Sequence, residues 1–354
     1  MRGIFAVLVV CHHVGVHSQR YWKHNWLGGI FNQSTFRVDF FFVLSGFVLW
    51  AAHRDDAGTP GAWRTFLGKR LSRLYPLLVT LTLAKALVLW MVPGRSLESF
   101  HLLPSLLALP QASFPIIVAA WTLSYEVCFT LTFAACLALP RRSFLPALAS
   151  WGVLLSCAGV LWGIRPAIHG LGFLTHPFVL EFVSGVLMAE WLQRQTAHDP
   201  VRNRRRGIVL CGISLLGLAI GATQHAWIVS HAVILQKLFW AFVFALGLGG
   251  LALWERVVAA KDWRLKDVLG VGRASYSIFL SHGFVLMAVF VLVRPAALPL
   301  GSAGKDVVLM LSVILSVLFG LAVWKWLERP LARLCRFPER PASAQCGTAT
   351  QRLS

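Results

Sequence analysis

Arg2 and His13 stand eleven positions apart in MRGIFAVLVVCHH. Eleven steps of about 100° bring an α-helix to within roughly 20° of its starting azimuth. The two side chains therefore share a face, about 16 Å apart along the axis. A guanidinium at one end of that line can hold a phosphate. A neutral imidazole further along it can take a proton from a hydroxyl. Glu126 in WTLSYE could orient that imidazole and stabilise its charged form, as the acid does in a hydrolase triad. Arg70 and Arg73 in KRLSRLYP supply two more cations for an anionic co-substrate.

These residues need an apolar scaffold, and the composition supplies one. The 354 residues are 57% hydrophobic and only 13% charged, against about 25% charged in a soluble domain. The mean hydropathy is +0.68. The expected fold is all-α: a polytopic transmembrane helical bundle of about ten spans. Ten apolar runs mark them: 3–16, 36–52, 75–92, 119–139, 144–162, 175–192, 207–223, 228–254, 275–293 and 307–327. Pro104, Pro110 and Pro115 interrupt 93–118, which reads as a loop or a re-entrant piece. Residues 1–328 form the membrane domain; the polar, basic stretch 329–354 reads as a disordered cytoplasmic tail.

A net charge of +19 raises the question of nucleic acid, but no basic domain stands clear of the apolar runs. Lys and Arg gather instead in alternate short loops. Ten spans with a cytoplasmic N-terminus put 23 of the 33 on the cytoplasmic side and 7 outside. That asymmetry follows the positive-inside rule and predicts a protein of the cytoplasmic (inner) membrane with both termini in the cytoplasm. Counting 93–118 as a span would move Arg141, Arg142 and Arg202–Arg206 outside, against the rule. The seven cysteines show no CxxC pair and read as small core residues. No metal site is expected.

Rise per residue then places His13, Ser45, Glu126 and His282 in one layer, with Arg2, Arg70 and Arg73 on the cytoplasmic side. Ionisable groups in a span are functional candidates by default, yet each has a plainer reading that stays open. Arg70 and Arg73 fit an ordinary positive-inside loop, and Trp121 and Tyr125 an interfacial belt. Ser45–Gly46 fits a small-residue helix contact. His282 fits a hydrogen-bonded bundle residue, and Asp39 an N-terminal cap. His12 points about 100° away from His13 and reads as structural. Glu181, Glu190 and Lys237 read as interfacial or snorkelling groups. His13 and Glu126 are the hardest to explain as packing.

In order along the chain, the Arg2–His13 pair, RVDFFFVLSGF with Asp39, Ser45 and Gly46, KRLSRLYP, WTLSYE, SYSIFLSH with Tyr276 and His282, and WLERP with Glu328 and Pro330 resemble the motifs of the acyltransferase-3 family of bacterial membrane proteins. Two departures stand out: the residues usual before the first arginine are absent, and Thr122 replaces the more usual serine. The resemblance implies transfer of an acyl group, often acetyl, from cytoplasmic acyl-CoA to a sugar hydroxyl. It makes His13 catalytic, with Glu126 beside it, and gives Arg2, Arg70 and Arg73 the donor. Asp39, Ser45, Gly46, Trp121, Tyr125, Tyr276 and His282 become supporting residues on the acceptor side. The implied partners are acyl-CoA as a co-substrate rather than a bound cofactor, a sugar or polysaccharide acceptor, and the lipid bilayer. The alternative is a transporter or flippase for a glycan or acylated metabolite, which should carry broken helices at matching places in two halves; no such pair is evident. A non-catalytic scaffold leaves the intramembrane histidine and glutamate unexplained. The acceptor, the acyl chain, direct transfer against an acyl-enzyme step, the oligomeric state and any upstream start are not legible.

Overall fold

A computed structural model of the chain describes residues 2–29, 31, 36–91, 101–111, 113–161, 170–195, 199–223, 233–258, 270–293, 301–335 and 337. Its α-helices are α1 (Arg2–Trp22), α2 (Phe36–His53), α3 (Ala62–Trp90), α4 (Leu102–Leu107), α5 (Trp121–Leu137), α6 (Arg141–Leu161), α7 (Gly170–Thr175), α8 (Phe178–Arg194), α9 (Pro200–Thr223), α10 (Val233–Val258), α11 (Ser275–Leu292), α12 (Ser302–Val323) and α13 (Arg329–Leu334). Among the described residues there is no β-strand. The described part of each expected apolar run falls mainly in one long helix.

Among the described residues, six segments are long and apolar enough to cross a membrane: Ala62–Trp90, Val118–Leu137, Arg141–Leu161, Val233–Glu255, Ser275–Leu292 and Ser302–Leu334. Six of the ten expected spans are thus marked by length and composition. The remaining long helices are more polar: α1 carries His12, His13 and His17, and α8 carries Glu181 and Glu190. Their polar groups turn inward, while apolar side chains turn out. On α12, Val307, Met310, Leu311, Ile314, Leu315 and Leu318 are all exposed. An apolar exterior of this extent belongs against lipid, and the protein is an integral membrane protein.

The bundle is built from a few tight pairings: α2 against α8, α9 against α10, and α1 against α11 and α12. At the α2–α8 crossing the backbones touch. A Cβ on Gly46 would run into the Phe182 carbonyl, and one on Gly185 into the Val43 carbonyl. Small residues permit that approach, which is how helices associate where no hydrophobic drive separates protein from lipid.

Two expectations are refined. Of the stretch 93–118, the described part from 101 onward holds the short α4, irregular chain and a 3₁₀ turn over Val118–Ala120 rather than a span before that turn. It packs on α3, where the Tyr75 hydroxyl donates to the Leu107 carbonyl at 2.9 Å. The expected disordered tail begins instead as helix: α12 passes through a π-helical turn, Trp324–Glu328, into α13, and Phe337 lies against Gly68 of α3. The remainder of the tail lies outside the described residues.

Candidate active site

Five elements converge on a cavity of about 200 Å³. α1 brings His13, α2 brings Ser45, α3 brings Arg70 and Arg73, the start of α5 brings Trp121 and Glu126, and α11 brings Tyr276. The cavity thus gathers seven residues singled out in the sequence, although they span 264 positions of chain from 13 to 276.

The state of His13 follows from its backbone partner. Its Nδ1 lies 3.0 Å from the carbonyl oxygen of Val9. A carbonyl only accepts, so Nδ1 carries the hydrogen and Nε2 of the neutral ring keeps a free lone pair. The same logic holds for His17 on the His13 carbonyl at 2.8 Å and His282 on the Ile278 carbonyl at 3.2 Å. The His282 ring is buried and lies 4.8 Å from the His13 ring, centroid to centroid. His282 therefore buttresses the candidate base from outside the cavity lining.

Glu126 has partners other than the imidazole expected for it. Arg70 forms an ion pair with one carboxylate oxygen. The Ser45 hydroxyl donates to the other at 2.7 Å. The carboxylate thus ties α2, α3 and α5 together on the wall of the cavity that His13 also lines. Tyr276 donates its hydroxyl to the Leu74 carbonyl at 2.8 Å, which pins α11 to α3. Beside it, the Ser277 hydroxyl donates to the buried Glu328 of the WLERP element.

Other candidates lie elsewhere. Tyr125 is buried among Phe42, Phe173 and Phe178, in the core rather than in an interfacial belt. Gly46 is the helix crossing already described. Arg2 opens α1, and its side chain lies outside the described residues. His12 bonds through Nδ1 to the Phe31 carbonyl at 2.8 Å, a structural role.

Asp39 does more than sit in the first turn of α2. It is fully buried and ion-paired with Lys237 of α10, whose ammonium lies 3.7 Å from Glu181 of α8. The ammonium also stands 4.3 Å from the centroid of the Phe178 ring. Glu181 and Lys237 are therefore not snorkelling groups: they are sealed between three helices, because two buried carboxylates require a cation. Glu190, also expected at an interface, is buried under Trp50, Arg54 and Arg194, with donors at 2.9, 2.9 and 2.7 Å. The sequence offers no signal for these pairs, since a charge in an apolar run does not name its partner. The apolar wall of the cavity, including Phe41 and Phe279, was equally silent: phenylalanine in an apolar helix is the ordinary case.

A lipid-embedded helical bundle enclosing a lone-pair imidazole and a buttressed carboxylate defines a membrane-embedded enzyme. The chain belongs to the acyltransferase-3 family, whose model, described as an acyltransferase domain, matches residues 1–327. It is similar to the exopolysaccharide production protein ExoZ of Rhizobium meliloti (strain 1021), 30% identical over 303 residues, which is 84% of this chain and 89% of that protein. It is also similar to the acyltransferase MdmB of Streptomyces mycarofaciens, 30% identical over 266 residues, or 62% of each chain. No solved structure matches significantly. The protein is an acyltransferase.

Proposed function

We propose that this acyltransferase moves an acyl group, acetyl in the first instance, from cytoplasmic acyl-CoA to a hydroxyl of a carbohydrate or glycosylated acceptor, with His13 as the base. The observation that carries the reading is His13, with its Nδ1 on the Val9 carbonyl, lining the same cavity as Arg70, Arg73 and Glu126. The similarity to a protein named for exopolysaccharide production favours a polysaccharide acceptor. Arg2, Arg70 and Arg73 take the donor's phosphates, as guanidinium groups do. His13 accepts the hydroxyl proton while the oxygen attacks the thioester carbonyl. The carbon–sulfur bond then breaks, and the imidazolium returns its proton to the departing thiolate. Glu126, held by Arg70 and Ser45, contributes negative charge that favours the imidazolium formed on the way. The chain sits in the inner membrane with both termini in the cytoplasm, which brings the arginines to the side where acyl-CoA is found.

Transfer of label from radiolabelled acetyl-CoA into membrane glycans tests this. At matched expression, His13→Ala is expected to lower the rate by about 10²–10⁴-fold, the usual worth of a positioned base. Label at the wild-type rate in the variant would remove His13 from the chemistry. Wild-type membranes that incorporate no label would overturn the donor.

A further inference from the structure

The reacting carbonyl must lie within reach of a hydroxyl held by His13, so whatever that carbonyl carries fills the part of the cavity next to the imidazole. One wall there is polar, with Glu126, Arg70 and Ser45. The apolar lining includes Phe41 of α2 and Phe279 of α11. Their ring centroids are 6.2 Å apart, so the two rings meet across the gap between their helices. Both are half-buried, and the more deeply buried Phe42 lines the cavity with them.

Both rings are packed against neighbouring rings. Phe279 backs onto His282 at 6.4 Å, and His282 in turn packs on His13. Phe41 backs onto Phe5 of α1 at 6.3 Å and Phe40 at 6.1 Å. Displacing the Phe41 ring would press on Phe5 of α1, the helix that carries the base. A packed interior resists such displacement. Phe279 is thus linked to His13 through the His282 ring, and Phe41 to α1 through Phe5.

We propose that Phe41 and Phe279 set the length of the acyl group this enzyme transfers, by limiting the apolar space in the cavity that they line with His13. The proposal rests on the acyl-CoA reading above. A cavity of about 200 Å³ has to hold both the acyl group and the acceptor hydroxyl. With both rings in place it takes a short acyl chain. With one ring removed, space opens in line with the carbonyl, and each added methylene can be bound. In a hydrophobic pocket one methylene changes the specificity ratio by about 10-fold or more.

The test is a competition in one membrane preparation between acetyl-CoA, butyryl-CoA and hexanoyl-CoA, with the ester products separated by mass. Comparing products within a preparation cancels differences in expression and folding. The wild type is expected to favour acetyl. In Phe279→Ala and Phe41→Ala the ratio of butyryl to acetyl product is expected to rise by at least about 10-fold. Phe279→Leu and Phe41→Leu should shift it in the same direction by less, and serve if the alanine variants fail to fold. Phe133→Ala, in the core between α5 and α6, should keep the wild-type ratio. A wild type that transfers acetyl while all four cavity variants retain its ratio would sink the proposal and leave the enzyme reading intact. A wild type that uses no acyl-CoA would overturn both.

Discussion

A single backbone carbonyl decides what His13 can do. Val9, one turn earlier on α1, accepts from Nδ1 and turns the lone pair on Nε2 toward other partners. The spacing from Arg2 was legible because helical geometry is local, whereas the Val9 bond came from the structure. The partner of Glu126 was not legible either: its carboxylate is held by Arg70, 56 positions away, and by Ser45, 81 away, rather than by the imidazole. The Arg70 and Glu126 side chains are 23% and 15% exposed, so the pair is shielded enough to be felt. We expect Arg70→Ala and Glu126→Ala each to lower acyl transfer by about 10-fold or more, and the double variant to lose less than the two combined. Initial rates in a double-mutant cycle should show a coupling on the order of 1 kcal/mol. Strict additivity would mean that the two act separately.

Among elements, α2 does the most to place the site. One side of it donates Ser45 to Glu126, another buries Asp39 against Lys237, and Gly46 lies on the backbone of α8. That crossing leaves no room for a methyl group. Gly185→Ala should push α8 away from Val43 and cost on the order of 1–3 kcal/mol, seen as a lower unfolding temperature in detergent. Gly212 of α9 offers the control, since a Cβ there meets nothing within 4 Å. Gly212→Ala should hold or slightly raise the unfolding temperature, because alanine is the better helix residue by about 0.5–1 kcal/mol. Equal melting of both variants would contradict the close crossing. The helices themselves could be read from apolar runs, and the interruption at 93–118 from its prolines. Their pairings could not, because any apolar face satisfies another equally well until particular glycines, charges and ring shapes select between them.

For the whole molecule, the asymmetric arginines and lysines make a definite statement about topology. Fusions of a reporter active only outside the cytoplasm should be silent at Arg142, Arg205 and Arg273, and active at Arg165 and Lys305. An active fusion at Arg205 would show an extra crossing before it and invert the proposed orientation there. By itself the sequence determined the class, an apolar helical bundle, and the order of its chemical motifs. It could do so because hydropathy, charge and helical spacing are properties of neighbouring residues. Only the tertiary structure decided which polar groups meet: His13 with His282, Glu126 with Arg70 and Ser45, Asp39 with Lys237 and Glu181. The reason is energetic. A polar group inside the bundle must find a partner to offset its desolvation, and which partner stands within reach depends on how helices distant in sequence pack around it.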